Sequence, residues 1–406
     1  MKKLIFYYTH RESLGHTTRS ISLVSALDKL YGDKLKIYVF QAGRPQRFCK
    51  FPERVKVFDL PDPFYSKFDF KLYKSSSVSF NSRKRAQFML DRINEIGPDI
   101  FVTEFFPFGR YESRLELLPV LTQLKKRGVE ILASIGYHYI ASGNFKALNF
   151  FSSFYDRIFI HVPDDEEYGY YLRNMENRVF KVLYRRFFKV NESKIAYTGY
   201  VLPYTLGNLK SERQIRSRFD AEGKRLVLIS RGGGVVCPKI IALCALSRKY
   251  LDDRYRFVVI PGPASSNKEM ALFRQVIRET GGNIFLAKYS PDLSSIMNAC
   301  DVSVSMAGYN TSMQLLYLRK KAVVIPSLVN PELGRGYCDE QVIRGMTLKK
   351  YLDASILDYN TLSAKDIARN IEAMGKRDIR LKHIPSVRFK GAENTAHLIM
   401  GAKPSR

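Results

Sequence analysis

An apolar run, Val302–Met306, stops at a tight polar turn, Ala307-Gly308-Tyr309-Asn310-Thr311, and a helical pattern with Met313, Leu315, Leu316 and Leu318 follows. The same order stands upstream: LVLIS (226–230), then Arg231-Gly232-Gly233-Gly234, then a helical run from Pro238. Strand, small-residue loop and helix in succession is the repeating unit of a parallel α/β sheet. Such a loop sets unpaired backbone N–H groups at a helix N-terminus, where they and the helix dipole favour anions. Two of these loops in one half suggest a site for a nucleotide diphosphate.

The rest of the chain keeps the same rhythm. Strands are predicted at Leu4–Thr9, Lys36–Gln41, Val55–Leu60, Ile100–Glu104, Glu130–Ser134 and Ile158–Val162, with helical patterns at Thr17–Tyr31, Arg83–Ile96 and Tyr111–Arg127. A turn-rich stretch, Ile195 to about Gly207, reads as a linker. Strands then resume at Arg225–Ser230, Arg256–Ile260, Asn283–Ala287, Val302–Met306 and Ala322–Pro326, and Gly391–Met400 reads as a closing helix. The expected fold is α/β, two Rossmann-like doubly wound domains facing a cleft, where ligands of such sheets bind. The expected domains are 1–200, 208–388 and a closing helix and tail at 389–406.

A chain of 406 residues with 45% hydrophobic content can build two packed cores. No apolar run reaches the roughly 18 residues of a membrane span, and MKKLIFYYTH reads as a first buried strand because no small-residue cleavage site follows it. Cys49, Cys237, Cys244, Cys300 and Cys338 are odd in number and lack metal-ligand spacing, which fits scattered core thiols in a reduced cytoplasm. The net charge of +27 predicts attraction to polyanions, whether anionic lipid, nucleic acid or phosphorylated substrates.

Several short motifs, in order and spacing, resemble a known family: Gly15-His16 with Arg19, Thr103 through Arg110, Tyr197-Thr198-Gly199-Tyr200, Gly232-Gly233-Gly234, Gly262-Pro263, Ala307 through Thr311, and Glu340-Gln341. The C-terminal half resembles the family 28 glycosyltransferases, and nearly the whole chain is similar to a branch of glycosyltransferases with the same two-domain GT-B fold. The resemblance implies a donor site for a nucleotide-diphosphate sugar, a UDP-sugar by preference, in the C-terminal domain. It implies an acceptor site in the N-terminal domain and direct displacement with inversion. No cofactor and no metal are expected.

Within that frame His16 is a candidate general base, or an acceptor-binding residue, because an imidazole titrates near pH 6.5 and opens a helix behind a glycine. The plain alternative is a histidine that caps and packs; His10 nearby reads as structural. Glu104 begins an aromatic loop closed by Arg110, so it is either a proton acceptor with a raised pKa or one half of an ion pair holding the loop. Gly15, Arg19 and Arg110 are the acceptor-side candidates.

On the donor side, Arg231 with Gly232, Gly233 and Gly234 can turn N–H groups and charge toward a pyrophosphate, or make a simple turn. Gly308, Asn310 and Thr311 stand at a loop–helix junction, where Asn310 or Thr311 can cap the helix and also meet phosphate. Tyr289 can stack on a base. The resemblance implies that Gln314 stands where relatives carry a ribose-binding glutamate, and that Glu340 and Gln341 hold sugar hydroxyls. Asp164-Asp165-Glu166-Glu167 suits a helix N-terminus better than a metal.

Val179–Val190 mixes Lys181, Arg185, Arg186 and Lys189 with aromatics and no acid, which fits either an anionic membrane surface or a half-buried helix with a solvated basic face. The expected protein is cytoplasmic, with a peripheral place at the inner membrane face for a lipid-linked or saccharide acceptor. Two rivals stand beside this reading: a nucleotide-sugar 2-epimerase of the same fold, and a basic nucleic-acid binder. The second is the weaker, since the basic residues are spread widely rather than set in one tract.

Overall fold

The computed structural model describes the chain apart from residues 11–13, 44–48, 62–75, 137–144, 164–168, 170–171, 174–177, 234–236, 282, 328–338, 378–382 and 405–406. Contacts divide it into two compact units, one of residues 1–11, 16–202 and 386–406, the other of residues 12–15 and 203–385.

The first unit runs β1 (Lys2–Thr9), α1 (Leu14–Tyr31), β2 (Leu35–Ala42), β3 (Lys56–Asp59), α2 (Ser76–Ile96), β4 (Ile100–Glu104), α3 (Arg114–Lys126), β5 (Glu130–Ile135), α4 (Phe145–Ser152), β6 (Arg157–Ile160), α5 (Arg178–Val190) and β7 (Ile195–Tyr197). Its sheet has the order β3-β2-β1-β4-β5-β6-β7, and every pairing is parallel. The core strands read as near-continuous apolar runs because both faces are covered, as a parallel sheet with crossover helices requires. Leu4, Phe6, Val39, Val102 and Leu132 are buried in one cluster with Leu23, Val24 and Leu27 of α1.

The second unit runs α6 (Glu212–Arg218), β8 (Arg225–Ser230), α7 (Pro238–Leu246), β9 (Tyr255–Ile260), α8 (Asn267–Thr280), β10 (Ile284–Leu286), α9 (Leu293–Ala299), β11 (Val302–Ser305), α10 (Tyr309–Leu318), β12 (Ala322–Val324), α11 (Asp339–Leu352), β13 (Ser355–Ile356) and α12 (Ala364–Lys376). Its parallel sheet has the order β10-β9-β8-β11-β12-β13. The last helix, α13 (Gly391–Ile399), returns to the first unit, where Ala396 and Ile399 join the core around Leu4.

Four local expectations need correction. Ile195–Tyr197 is the edge strand of the first sheet rather than linker, because three half-buried residues at an edge carry no strong apolar signal. Tyr111–Ser113 forms a separate 3-10 turn ahead of α3, so the expected helix starts later, at Arg114. Ser355–Ile356 adds a two-residue strand that no pattern predicted. Helix α10 starts at Tyr309 with Gly308 as its N-cap and no capping side chain, so Asn310 and Thr311 lie in the first helical turn and do not cap.

Candidate active site

Strand order decides where side chains can converge. In the first sheet the order reverses between β1 and β4, which pair as Tyr7 with Thr103. Ligands of open α/β sheets bind at the carboxyl ends of strands beside such a reversal. The chain leaving β1 enters α1, whose first turn holds Gly15 and His16; β4 ends on Glu104.

His16, Arg19 and Glu104 meet there. The His16 Nδ1 lies 2.8 Å and 3.0 Å from the two Glu104 carboxylate oxygens. The Arg19 guanidinium donates to the same carboxylate. Side-chain exposure is 1% for Glu104, 6% for Arg19 and 15% for His16. Burial alone would raise the Glu104 pKa, but the charges of Arg19 and then His16 outweigh it and hold the carboxyl down at about 2. The expectation of a carboxyl with a raised pKa is therefore not met, and Glu104 is a permanent anion. An anion facing Nδ1 requires a proton there, so Nδ1–H donates and Nε2 is left to bind or lose a proton. The approach of Arg19 Nη2 to Nδ1 at 3.3 Å is then a contact between two donors, drawn to one carboxylate. The His16 ring also lies 4.9 Å from that of Phe105.

The loop after β4 supports this arrangement. Phe105 and Arg110, at its two ends, have φ of 68° and 54°. The Thr103 hydroxyl donates to the Phe106 carbonyl at 2.8 Å. Burial, then the nearby His16 and the buried Arg110, lower the His10 pKa to about 4. His10 contacts the Thr17 hydroxyl through Nδ1. Gly136 closes against Arg19: an added Cβ would lie 2.4 Å from Nη1.

One residue of this cluster carried no sequence signal. His161 follows β6 and is fully buried, with Nε2 2.7 Å from the Ser134 hydroxyl and Nδ1 2.8 Å from that of Thr198. Burial and the Arg19 charge lower its pKa to about 3, so it stays neutral. Its partners, Ser134 on β5 and Thr198 just past β7, meet only in the folded sheet.

The second sheet reverses between β8 and β11, paired up to Ser230 and Ser305. Both glycine loops leave the ends of these neighbouring strands. Gly232 has φ of 69°, and beyond its chain neighbours no atom of the described residues lies within 4 Å of where a Cβ would stand. Gly308 has φ of −65° and the same open space. Among the described residues, neither backbone conformation nor a protein neighbour requires glycine at 308. Gly233 accepts from the Ala264 N–H at 3.1 Å; Gly234 lies outside the described residues.

Arg231 is buried, and among the described residues its partners lie on the neighbouring strand end and helix. Its guanidinium donates to the Pro261 carbonyl (3.0 Å), the Ser265 hydroxyl (2.8 Å) and Glu269 (3.0 Å), tying the Gly232 loop to the start of α8. Arg344 does the same for the other loop: Nε donates to the Ala307 carbonyl at 2.7 Å and Nη1 to Glu340. Sequence reading named Glu340 but missed Arg344, although its place four residues on marks an ion pair along one helix face. The Gln341 side-chain oxygen accepts from the Ser327 N–H at 2.9 Å. Gln314 is buried against α9, where its oxygen accepts from Ser294 at 3.3 Å. Tyr289 is half-buried after β10, and the neighbouring Lys288 carbonyl accepts from Gly262 N–H at 3.1 Å.

Cys244 and Cys300 are buried thiols, and Cys49 and Cys237 half-buried ones. Cys338 and the run Asp164–Glu167 lie outside the described residues. Among the described residues no cluster is placed to hold a metal ion, and no helix is long and apolar enough to cross a membrane.

Residues 229–382 match the model of the glycosyltransferase family 28 C-terminal domain. No curated protein matches the chain by sequence. Among solved structures it resembles CalG4, the calicheamicin glycosyltransferase, with a TM-score of 0.55 at 12% identity over 100% of this chain and 96% of that one. It resembles MurG of Acinetobacter baumannii at 0.56 and 12% over the same shares. It also resembles the UDP-GlcNAc 2-epimerase of Neisseria meningitidis bound to UDP-GlcNAc, at 0.57 and 13% over 98% of both chains. Identities this low speak for fold alone. Residues 229–382, which span both glycine loops, match the C-terminal domain of the family 28 glycosyltransferases, and the chain as a whole has the two-domain GT-B fold of the structures it resembles.

Proposed function

We propose that this protein transfers a sugar from a nucleotide-diphosphate sugar, a UDP-sugar by preference, to a hydroxyl of a lipid-linked or saccharide acceptor, with inversion. One observation carries the reading: both glycine loops of the matched domain leave neighbouring strands where the sheet order reverses, and no neighbour among the described residues requires a glycine at 308. A diphosphate against Gly308 and the first turn of α10, Asn310 and Thr311 included, meets unpaired N–H groups and the positive end of the helix. The same groups stabilise the departing nucleoside diphosphate without a metal. Gly232, Gly233 and Gly234 serve the same anion, with Arg231 and Arg344 holding the two loops in place. Glu340 and Gln341 hold sugar hydroxyls, Gln314 the ribose, and Tyr289 the base.

In the first unit His16 Nε2 takes the proton of the acceptor hydroxyl as its oxygen attacks the anomeric carbon. Glu104 holds the tautomer and stabilises the imidazolium that forms. Gly15, Arg19 and Arg110 belong to the acceptor side. Work at a cytoplasmic membrane face belongs to the same reading.

A panel of UDP, GDP, dTDP and CDP in thermal unfolding tests the donor site. A ligand at a hundred times its Kd adds about 2.7 kcal/mol. One diphosphate should stabilise selectively, and Gly308→Trp should abolish the effect by filling the space a ligand needs. No shift with any diphosphate at millimolar concentration would sink the donor-site reading. The epimerase reading gains support from neighbours such as the Neisseria enzyme. It requires donor loss and epimer formation with no acceptor present.

A further inference from the structure

Helix α5 shows solvent a surface that solvent does not favour. Its inner side is aromatic: Tyr184, Phe187 and Phe188 are buried, and Phe180 packs on Phe145 of α4 with ring centroids 5.1 Å apart. Its outer side is apolar too. Val179 is 71% exposed, Val182 64%, Leu183 38% and Val190 71%. At 100° per residue these four fall in one stripe, and Arg186 lies within it. Along one border run Arg178, Arg185 and Lys189, with Lys181 beyond them.

Two features count against water as the natural neighbour. Valine is a poor helix former, and at an exposed position no packing compensates it. The five cations stand on a helix with no acidic residue, so no pair along the helix relieves their repulsion. An anionic lipid surface relieves both at once. Short alkyl groups enter the boundary between headgroups and acyl chains, while Arg and Lys stems lie along it and reach the phosphates. The net charge of +27 acts in the same direction. A nucleic acid would use the cations and leave the valines in water.

We propose that α5 is a membrane-docking helix that lies flat on an anionic bilayer, with Val179, Val182, Leu183 and Val190 inserted and Arg178, Arg185, Arg186 and Lys189 on lipid phosphates. This deepens the membrane part of the reading above and rests on that part alone.

The chain contains no tryptophan, so one introduced tryptophan reports its own surroundings. The test uses full-length Val182→Trp, with Tyr250→Trp, 58% exposed in the second unit, as the control. Each is mixed with vesicles of phosphatidylglycerol and phosphatidylcholine, or of phosphatidylcholine alone. Docking predicts a blue-shifted emission and quenching by brominated acyl chains for Val182→Trp on the anionic vesicles only. Replacing Arg185 and Lys189 by Gln in that background should weaken vesicle affinity roughly fivefold per charge removed. Equal response of both tryptophans, equal response to neutral vesicles, or competition by a DNA duplex without any emission shift would overturn the assignment. UDP-dependent thermal stabilisation of the same variants, measured without vesicles, separates failure of docking from failure of the donor site.

Discussion

Arg19 and Glu104 form an ion pair with side-chain exposures of 6% and 1%, and this contact sets the proton position on a third residue, His16. Without the guanidinium, only His16 opposes burial, and the Glu104 pKa rises. A protonated Glu104 no longer requires a proton on His16 Nδ1, and the tautomer with a free Nε2 loses its hold. Arg19→Met should therefore lower kcat/KM most at the acid end of the pH range, moving the acid limb upward, while Arg19→Lys keeps much of the wild-type profile. Initial rates from pH 5.5 to 8.5 decide it. A loss of rate uniform in pH would mean that Arg19 acts only by holding structure.

His16→Ala should cost about 10²- to 10⁴-fold in kcat, the usual worth of a general base. Because His16 belongs to the first unit and the glycine loops to the second, thermal stabilisation by nucleoside diphosphate should be unchanged. An active His16→Ala enzyme would move the base elsewhere, and Glu104 with its depressed pKa is a poor substitute.

Legibility of the sequence followed burial. Ile100–Glu104 and Arg225–Ser230 are readable to the residue because a doubly covered parallel strand is apolar throughout. Ile195–Tyr197 is not, since an edge strand half in solvent needs no such run. The meeting of His16 with Glu104 follows from strand order, which no local pattern carries. Arg231 shows the same limit: its place beside three glycines suggested a ligand contact, and the bonds of its buried guanidinium to Pro261, Ser265 and Glu269 depend on segments distant in sequence. Glu340 and Arg344 stand at the spacing of an ion pair that the sequence reading passed over, and no spacing marks the bond from Arg344 to the Ala307 carbonyl.

Two buried histidines among the described residues set an acid limit. His10 and His161 have folded pKa values of about 4 and about 3, below the ordinary imidazole value, because burial disfavours the cation. The unfolded chain then takes up protons first as pH falls below about 6.5. Stability is full above that pH and declines below it, by up to roughly 1.4 kcal/mol per unit for each histidine. Glu104 adds nothing in this window, since its depressed pKa removes stability only from about 4.5 downward. Urea unfolding at pH 7 and pH 5 should show a marked loss in wild type and a smaller one in His161→Asn. An equal loss in both would exclude His161 as a source.

The return of α13 to the first unit rests on contact between two glycines. Gly199, with φ of 87°, follows β7, and a Cβ on Gly391 would stand 2.2 Å from its carbonyl oxygen. The two segments are stitched by Tyr200 N–H to the Arg388 carbonyl at 2.6 Å, Gly391 N–H to the Tyr200 carbonyl at 3.0 Å, and Asn394 Nδ2 to the Thr198 carbonyl at 2.9 Å. Gly391→Ala has no flexible side chain to displace, only backbone, so the strand end and the helix must part. Overpacking of this kind costs about 1–3 kcal/mol. Gly207→Ala is the control, with open space at its Cβ and no positive φ. Denaturant unfolding should place Gly391→Ala well below wild type and Gly207→Ala close to it. Thr198 also meets His161, so loosening here should carry into the sheet beside Arg19 and lower turnover as well as stability. A Gly391→Ala protein with wild-type stability would show that α13 can shift at no cost, and that the glycine pair does not hold it.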